Sequence, residues 1–169
     1  MNFKIIFTEA VFWSILWTVM VSISIRIFPF TIEHDYPDDV RKAANISKPS
    51  KKHKRNGIIF AAISFLILFG LLISFAILEY NGKELSFSKI FFHLWIICIT
   101  WNIIDLLIID WLLICNLSVK YFLLPGTETC NANKNYIFHF IGFLKGCITM
   151  SVISALFTAV SYIILLLLK

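Results

Sequence analysis

Ionisable and amide side chains interrupt two long apolar segments of this 169-residue sequence. Asn102, Asp105 and Asp110 lie in WNIIDLLIIDWLLI, and His139 and Lys145 lie in YIFHFIGFLKG. Carboxylates bind protons and cations, and a carboxylate beside an imidazole forms an acid–base pair. An unpaired charge at the centre of a bilayer costs from about 2.5 to over 10 kcal/mol. We therefore expect these side chains to face one another rather than lipid.

Helical spacing predicts that four of these residues form two polar tiers between two antiparallel helices. At 100° per residue, Asn102 lies about 60° and Asp110 about 140° from Asp105, on one side of the helix. Counted from the intervening loop, Asp105 and Lys145 are equally deep, and Asp110 lies at the depth of His139. The predicted pairs are Asp105 with Lys145, and Asp110 with His139.

Each tier also has a purely structural interpretation. An Asp105–Lys145 pair would fix the helix register without binding a ligand, or Lys145 would extend to the headgroups. His139 would bond a loop carbonyl, and Asp110 would mark the edge of the hydrocarbon region. Gly142 and Gly146 form a GxxxG spacing, which predicts close packing against a neighbouring helix.

Carboxylates outnumber lysine within the apolar segments. The apolar segments contain three carboxylates, those of Glu9, Asp105 and Asp110, but only one lysine, Lys145. At least one carboxyl is therefore expected to hold a proton, a metal or a basic ligand. His93 lies at a similar predicted depth to Glu9 near the other surface, which suggests an outer polar pair. The four histidines lack the spacing of a metal site, and no cofactor is predicted.

The elements that must position these residues are membrane-spanning helices. The chain is 59% apolar, whereas soluble domains average about 45–50%. A spanning helix needs about 20 apolar residues. The predicted fold is an all-α bundle of four transmembrane helices in one membrane domain, with spans at about 5–27, 57–79, 87–115 and 136–168.

Basic residues predict the orientation of the bundle. The loop at 28–56 is rich in lysine and arginine, whereas the loop at 116–135 and the connection near Lys83 carry few. The positive-inside rule places the loops at 28–56 and 116–135 in the cytoplasm and both termini outside. A short helix is predicted after Pro37, followed by a solvated basic linker. This linker either only fixes the topology or also binds anionic lipid headgroups, through Lys51, Lys52, Lys54 and Arg55.

Composition and motifs exclude several activities. The positive charge follows membrane topology, so nucleic acid is not an expected partner. The sequence has no HExxH, GxSxG or P-loop, and it lacks the paired motifs of membrane prenyltransferases. The abundance of Ile, Lys, Asn and Phe is typical of AT-rich genomes and favours a bacterial inner membrane.

Four segments resemble those of a family of small, uncharacterised bacterial four-span membrane proteins. They are HDYPDDV at 34–40, DWLLI at 110–114, LPGTE at 124–128 and FHFIGFLKG at 138–146. The resemblance implies the four-span topology and brings attention to five positions, although it implies no activity. These positions are His34, Asp110, Glu128, His139 and Lys145.

Three functional hypotheses follow. The first is binding or transport of a cation, proton or small amphiphile at the polar cluster between spans three and four. The second is an accessory or assembly subunit, with a second copy of the chain or a larger membrane complex as its partner. The third is a lipid-phase enzyme that uses an aspartate–histidine pair. Membrane lipids are expected partners in every case.

Overall fold

Four long helices account for most of the chain. The computed structural model describes residues 2–168, which contain no strand. The four helical spans are long and apolar enough to cross a membrane, which confirms the predicted all-α class and the number of spans. They are α1 (Phe3–Ile27), α3 (Lys51–Tyr80), α4 (Phe87–Ile104) with its continuation Asp105–Asn116, and α5 (Tyr136–Leu167).

The basic segment before the second span is helical. Helix α3 begins at Lys51, so Lys51, Lys52, Lys54 and Arg55 occupy its first turns. These residues are exposed, as predicted, but they belong to a helix rather than to a linker. Ser50 caps the helix by accepting a hydrogen bond from the His53 amide at 3.2 Å. Lysine and arginine are good helix formers, so the capped helix extends beyond the apolar run.

The third span changes its winding at Asp105. From Asp105 to Asn116 the backbone is a π-helix, a winding in which amides bond the carbonyl five positions before them. The Asp105 amide at its start still bonds the Trp101 and Asn102 carbonyls. At its end, the Leu117 amide donates to the Leu112 carbonyl at 2.9 Å. Residues five apart are therefore neighbours on one face, whereas an α-helix separates them by about 140°. This winding changes which side chains point together.

Two loops close one end of the bundle. The first contains short 3₁₀ turns at Pro29–Thr31 and Glu33–Asp35, followed by α2 (Asp38–Ala43), which confirms the helix predicted after Pro37. The Tyr36 hydroxyl donates to the Phe122 carbonyl in the loop between the third and fourth spans, at 2.5 Å. The Asn45 amide donates to the Pro125 carbonyl in the same loop, at 2.8 Å. The two loops therefore form one cap.

Helix α4 packs mainly against α5 and α1. Trp17 of α1 stacks on Trp101 of α4 with ring centroids 5.4 Å apart. Trp95 of α4 donates from Nε1 to the Ser151 hydroxyl of α5 at 2.9 Å. The side of α4 that carries the polar residues therefore lies between its two neighbours.

Candidate functional site

A cavity of about 430 Å³ lies beneath the loop cap. Its walls come from α1, from α4 with the π-helical segment, and from the first half of α5. The first loop lines it at the cap through Ile32, His34, Asp35 and Tyr36. The sequence predicted a polar cluster between the third and fourth spans alone. The wall from α1 was missed, because Trp17, Val21 and Ile25 are apolar and no polar residue marks that face.

Three aspartates line the cavity. Asp105 and Asp110 come from the π-helical segment, and Asp35 comes from the first loop. The five-residue spacing of Asp105 and Asp110 is the spacing that the π-helix aligns. The cavity therefore gathers carboxylates from two distant parts of the chain, a pattern suited to a positively charged ligand.

His139 holds one of these aspartates in place. Its Nδ1 lies 3.0 Å from Oδ1 of Asp110, so the predicted contact between these two residues is present. The imidazole is buried, and its Nε2 has no hydrogen-bond partner among the described residues. This geometry fits a neutral imidazole that donates its Nδ1 proton to the carboxylate. Asp110 is thereby oriented by His139, which also lines the cavity.

Lys145 forms no ion pair with Asp105. Both residues line the cavity, but within residues 2–168 no carboxylate oxygen lies within 4.0 Å of the Lys145 nitrogen, so the predicted ion pair was wrong. The contact at this depth is made by Asn102, whose Nδ2 donates to the Phe143 carbonyl at 3.1 Å. The lysine side chain is exposed at the edge of the cavity. The depth count was sound only for an α-helix, and the π-helical winding begins at Asp105.

The two glycines of the GxxxG spacing have different surroundings. A Cβ built on Gly146 would lie 2.3 Å from Oδ1 of Asn102, so this glycine permits the close contact of α4 and α5. A Cβ on Gly142 would meet nothing within 4 Å, so the predicted packing role of Gly142 was wrong. Gly142 instead lines the cavity.

Residues 34–36 form the end of the cavity beneath the loops. His34 Nε2 lies 3.3 Å from Asp35 Oδ1, and about two thirds of each side chain is exposed. The surrounding walls nevertheless raise the pKa of Asp35 by burial, Asp110 adds to this effect, and His34 opposes it. Tyr36 is buried, and burial raises the pKa of its hydroxyl well above the usual value, so it remains a hydrogen-bond donor.

The resemblance marked His34 but not its two neighbours. Asp35 and Tyr36 belong to the same HDYPDDV segment, which was the available signal. Glu128, also marked by the resemblance, lies outside the cavity lining and faces Lys120 at 3.8 Å. The basic residues that begin α3 also lie outside it.

A second acid–histidine pair lies at the opposite end of the bundle. His93 Nε2 is 2.5 Å from Glu9 Oε2, so the suggested outer contact is present. The imidazole is fully buried and packs against the Tyr80 ring, with centroids 5.7 Å apart. The Tyr80 hydroxyl donates to the Lys89 carbonyl at 3.1 Å. Neither Glu9 nor His93 lines the cavity.

The donors in the cavity do not form a metal centre. Across residues 2–168, no group of three His, Cys, Asp or Glu side chains is arranged to hold a metal ion.

Comparison of the chain with protein-family profiles, curated proteins and solved structures finds no match in any of the three. The functional argument therefore rests on the geometry of the cavity.

Proposed function

We propose that this protein binds a small basic ligand in the cavity beneath the loop cap. The observation that supports the proposal is the convergence of Asp35, Asp105 and Asp110 on one cavity, where the exposed Lys145 forms no ion pair with any of them. Carboxylates in a partly desolvated site attract cations more strongly than they do in water. A bound ammonium group would supply the charge that Lys145 does not.

The size and walls of the cavity favour an organic cation over a bare ion. Its volume of about 430 Å³ falls within the range of about 300–1,000 Å³ that is usual for small-molecule sites. Aromatic rings of Trp17, Trp101 and Phe138 line the same space. Such rings attract alkylammonium groups through their electron-rich faces. Transport of the ligand, beyond its binding, is the natural extension of this proposal for a membrane protein.

Acid–base catalysis by the Asp110–His139 pair is a weaker candidate. A catalytic imidazole needs one nitrogen within hydrogen-bond reach of the reacting group. The His139 nitrogen that is not bonded to Asp110 is buried. A role in positioning Asp110 for ligand binding therefore fits the pair better.

The membrane orientation forms part of the proposal. The seven basic residues between α1 and the apolar part of α3 support a cytoplasmic location for the loop cap in a bacterial inner membrane, with both termini outside. A Ser47→Cys variant in a background without other cysteines should resist a membrane-impermeant maleimide in intact cells and react after lysis. A cysteine at Gly82, in the connection between α3 and α4, should react in both. Labelling of position 47 in intact cells would show that the orientation is the opposite of the one proposed.

Ligand binding is tested with n-butylammonium, which is small and soluble in water. We expect saturable binding to the purified protein in lipid nanodiscs, measured by calorimetry. Asp105→Asn and Asp110→Asn should each weaken it about tenfold to a hundredfold, since a hydrogen bond to a charged group contributes about 1.5–3 kcal/mol.

Glu9→Gln is the matched control, because it neutralises a carboxylate of the bundle outside the cavity. It should leave the affinity unchanged. If butylammonium does not bind, or binds equally well to all three variants, the proposed function is wrong.

A further inference from the structure

The cavity opens on the side of the bundle that faces lipid. Gly142 and Lys145 both line the cavity and are both exposed. They lie six and nine residues after Tyr136, where α5 begins. At 1.5 Å per residue, these positions are about 9 and 13 Å along the helix, well inside a hydrocarbon core of about 30 Å. An exposed cavity wall at this depth borders lipid tails.

The opening lies between α1 and α5. No residue of α3 lines the cavity, and α1 and α5 make no extensive contact with each other in the described chain. Helix α3 meets α5 farther from the loop cap, where Phe69 stacks on Phe157 with centroids 4.8 Å apart. Val21 of α1 and Phe143 of α5 supply apolar walls to the cavity. The resulting cleft is suited to hydrocarbon chains.

The charges are ordered from the interior of the cavity to this edge. Asp105 and Asp110 are partly buried within the cavity, whereas the exposed Lys145 stands at the lipid side. A soluble cation would gain nothing from a lysine at this edge, because like charges repel. A headgroup that carries an ammonium followed by a phosphate would satisfy both sets of charges.

We propose that the ligand of this cavity is a zwitterionic phospholipid, with its ammonium at Asp105 and Asp110, its phosphate at Lys145 and its chains in the cleft between α1 and α5. This inference rests on the proposed function, because it takes the same carboxylates as the cation site. It adds the class of ligand and the route from the bilayer. Lipids with only a negative headgroup are disfavoured, because the two aspartates would repel them.

Competition among lipids tests the inference. The protein is placed in nanodiscs with equal parts of phosphatidylethanolamine, phosphatidylcholine and phosphatidylglycerol, and the lipids that remain bound after ejection are identified by native mass spectrometry. We expect at least one of the two zwitterionic lipids to be retained about fivefold or more over phosphatidylglycerol. Comparison of the two shows whether the ammonium is primary or quaternary. Equal or preferential retention of phosphatidylglycerol overturns the inference.

Two variants examine the contacts separately. Lys145→Met should abolish the preference for zwitterionic lipid, because the phosphate then has no cation to bind. If Lys145 only extends to bulk headgroups, this variant retains the wild-type preference, and the phosphate contact is wrong.

Gly142→Leu should block the cleft and reduce lipid retention about tenfold, because the new side chain extends into open space. Gly70→Leu is the matched control, since a Cβ at Gly70 also meets nothing within 4 Å and Gly70 is exposed on α3. It should retain lipid as the wild type does. Equal retention by both leucine variants overturns the lateral route.

Butylammonium binding separates this inference from the proposed function. The unfolding midpoint of Gly142→Leu, measured beside that of Gly70→Leu, shows that the variant is folded. Butylammonium binding without a preference for zwitterionic lipid would overturn the inference and leave the proposed function intact. Absence of butylammonium binding in the wild type would overturn the proposed function.

Discussion

Two acid–histidine pairs occupy opposite ends of the same bundle, and their surroundings differ. Glu9 and His93 lie in tightly packed core, where the imidazole is fully buried beside Tyr80. Asp110 and His139 are also in contact, but both residues line the cavity beneath the loop cap. The same pair of functional groups therefore serves different purposes. We interpret the Glu9–His93 pair as part of the packing and the Asp110–His139 pair as part of a binding site.

The largest expected effect concerns loss of the acid from each pair. Glu9→Ala leaves the His93 imidazole buried without its partner, and losses of about 3–5 kcal/mol are typical for such a change. Asp110→Ala should cost only about 1–3 kcal/mol, because cavity water is able to replace the missing acceptor. Unfolding in mild detergent measures both. The exposed Asp39→Ala variant serves as the control, with a change within about 0.5 kcal/mol. Equal losses from the two pairs would contradict the distinction between them.

The contact of α4 and α5 offers a second comparison, at the boundary between packed and open regions. Gly146→Ala should destabilise the protein by about 1–3 kcal/mol, because the new methyl overlaps the Asn102 amide. Gly142→Ala should be neutral or stabilising by up to about 1 kcal/mol, since alanine favours the helix and the space is open. Thermal unfolding of the two variants decides. A smaller loss at position 146 than at 142 would be inconsistent with this boundary.

Double-mutant cycles measure which residues of the cavity lining interact with each other. For Asp110 and His139, which are in contact, we expect a coupling energy of about 0.5–3 kcal/mol. For Asp105→Asn and Lys145→Met the single effects should add within about 0.5 kcal/mol, because no ion pair joins these residues. The free energy of unfolding of all six variants is measured by chemical denaturation. A coupling above about 1 kcal/mol between Asp105 and Lys145 would restore the ion pair that the sequence predicted.

The smallest expected effect is a dependence of stability on pH at the loop end of the cavity. Because the pKa of Asp35 is raised in the folded protein, its carboxyl keeps a proton at pH values where the unfolded chain has lost it. This contribution to stability is present at low pH and is lost as the pH rises above 3.8 and through the folded value. Asp35→Asn should flatten this part of the profile of unfolding midpoints. An unchanged slope would mean that Asp35 is not perturbed.

The sequence predicted the helices well and the site in part. Four apolar runs were sufficient for the spans, because the hydrocarbon core imposes length and composition. Counting residues from the loop also predicted that Asp110 meets His139. The same count failed for Asp105 and Lys145, because it assumed α-helical winding throughout. A signal for the π-helix was present, since DLLIIDWLLIC places Asp105, Asp110 and Cys115 at intervals of five.

The cavity itself was beyond reach of the sequence pattern. Asp35 and Tyr36 come to it through loop contacts that join distant segments, such as the bond from the Tyr36 hydroxyl to the Phe122 carbonyl. Trp17 contributes from α1, where an apolar side chain that lines a cavity cannot be told from one that faces lipid. Local periodicity reports which residues share a face, but the space between faces depends on how the helices are placed.

The winding of the third span makes the separation of two charges depend on hydrogen-bond register. Asp105 and Asp110 lie on one face only while each amide bonds five positions back. A return of this segment to a register of four would rotate one carboxylate about 140° from the other. If the proposed cation binds between the two aspartates, it stabilises the π-helical register by the difference between its binding free energies in the two registers. Occupancy by that cation would then be thermodynamically linked to the hydrogen-bond register of this one stretch of backbone.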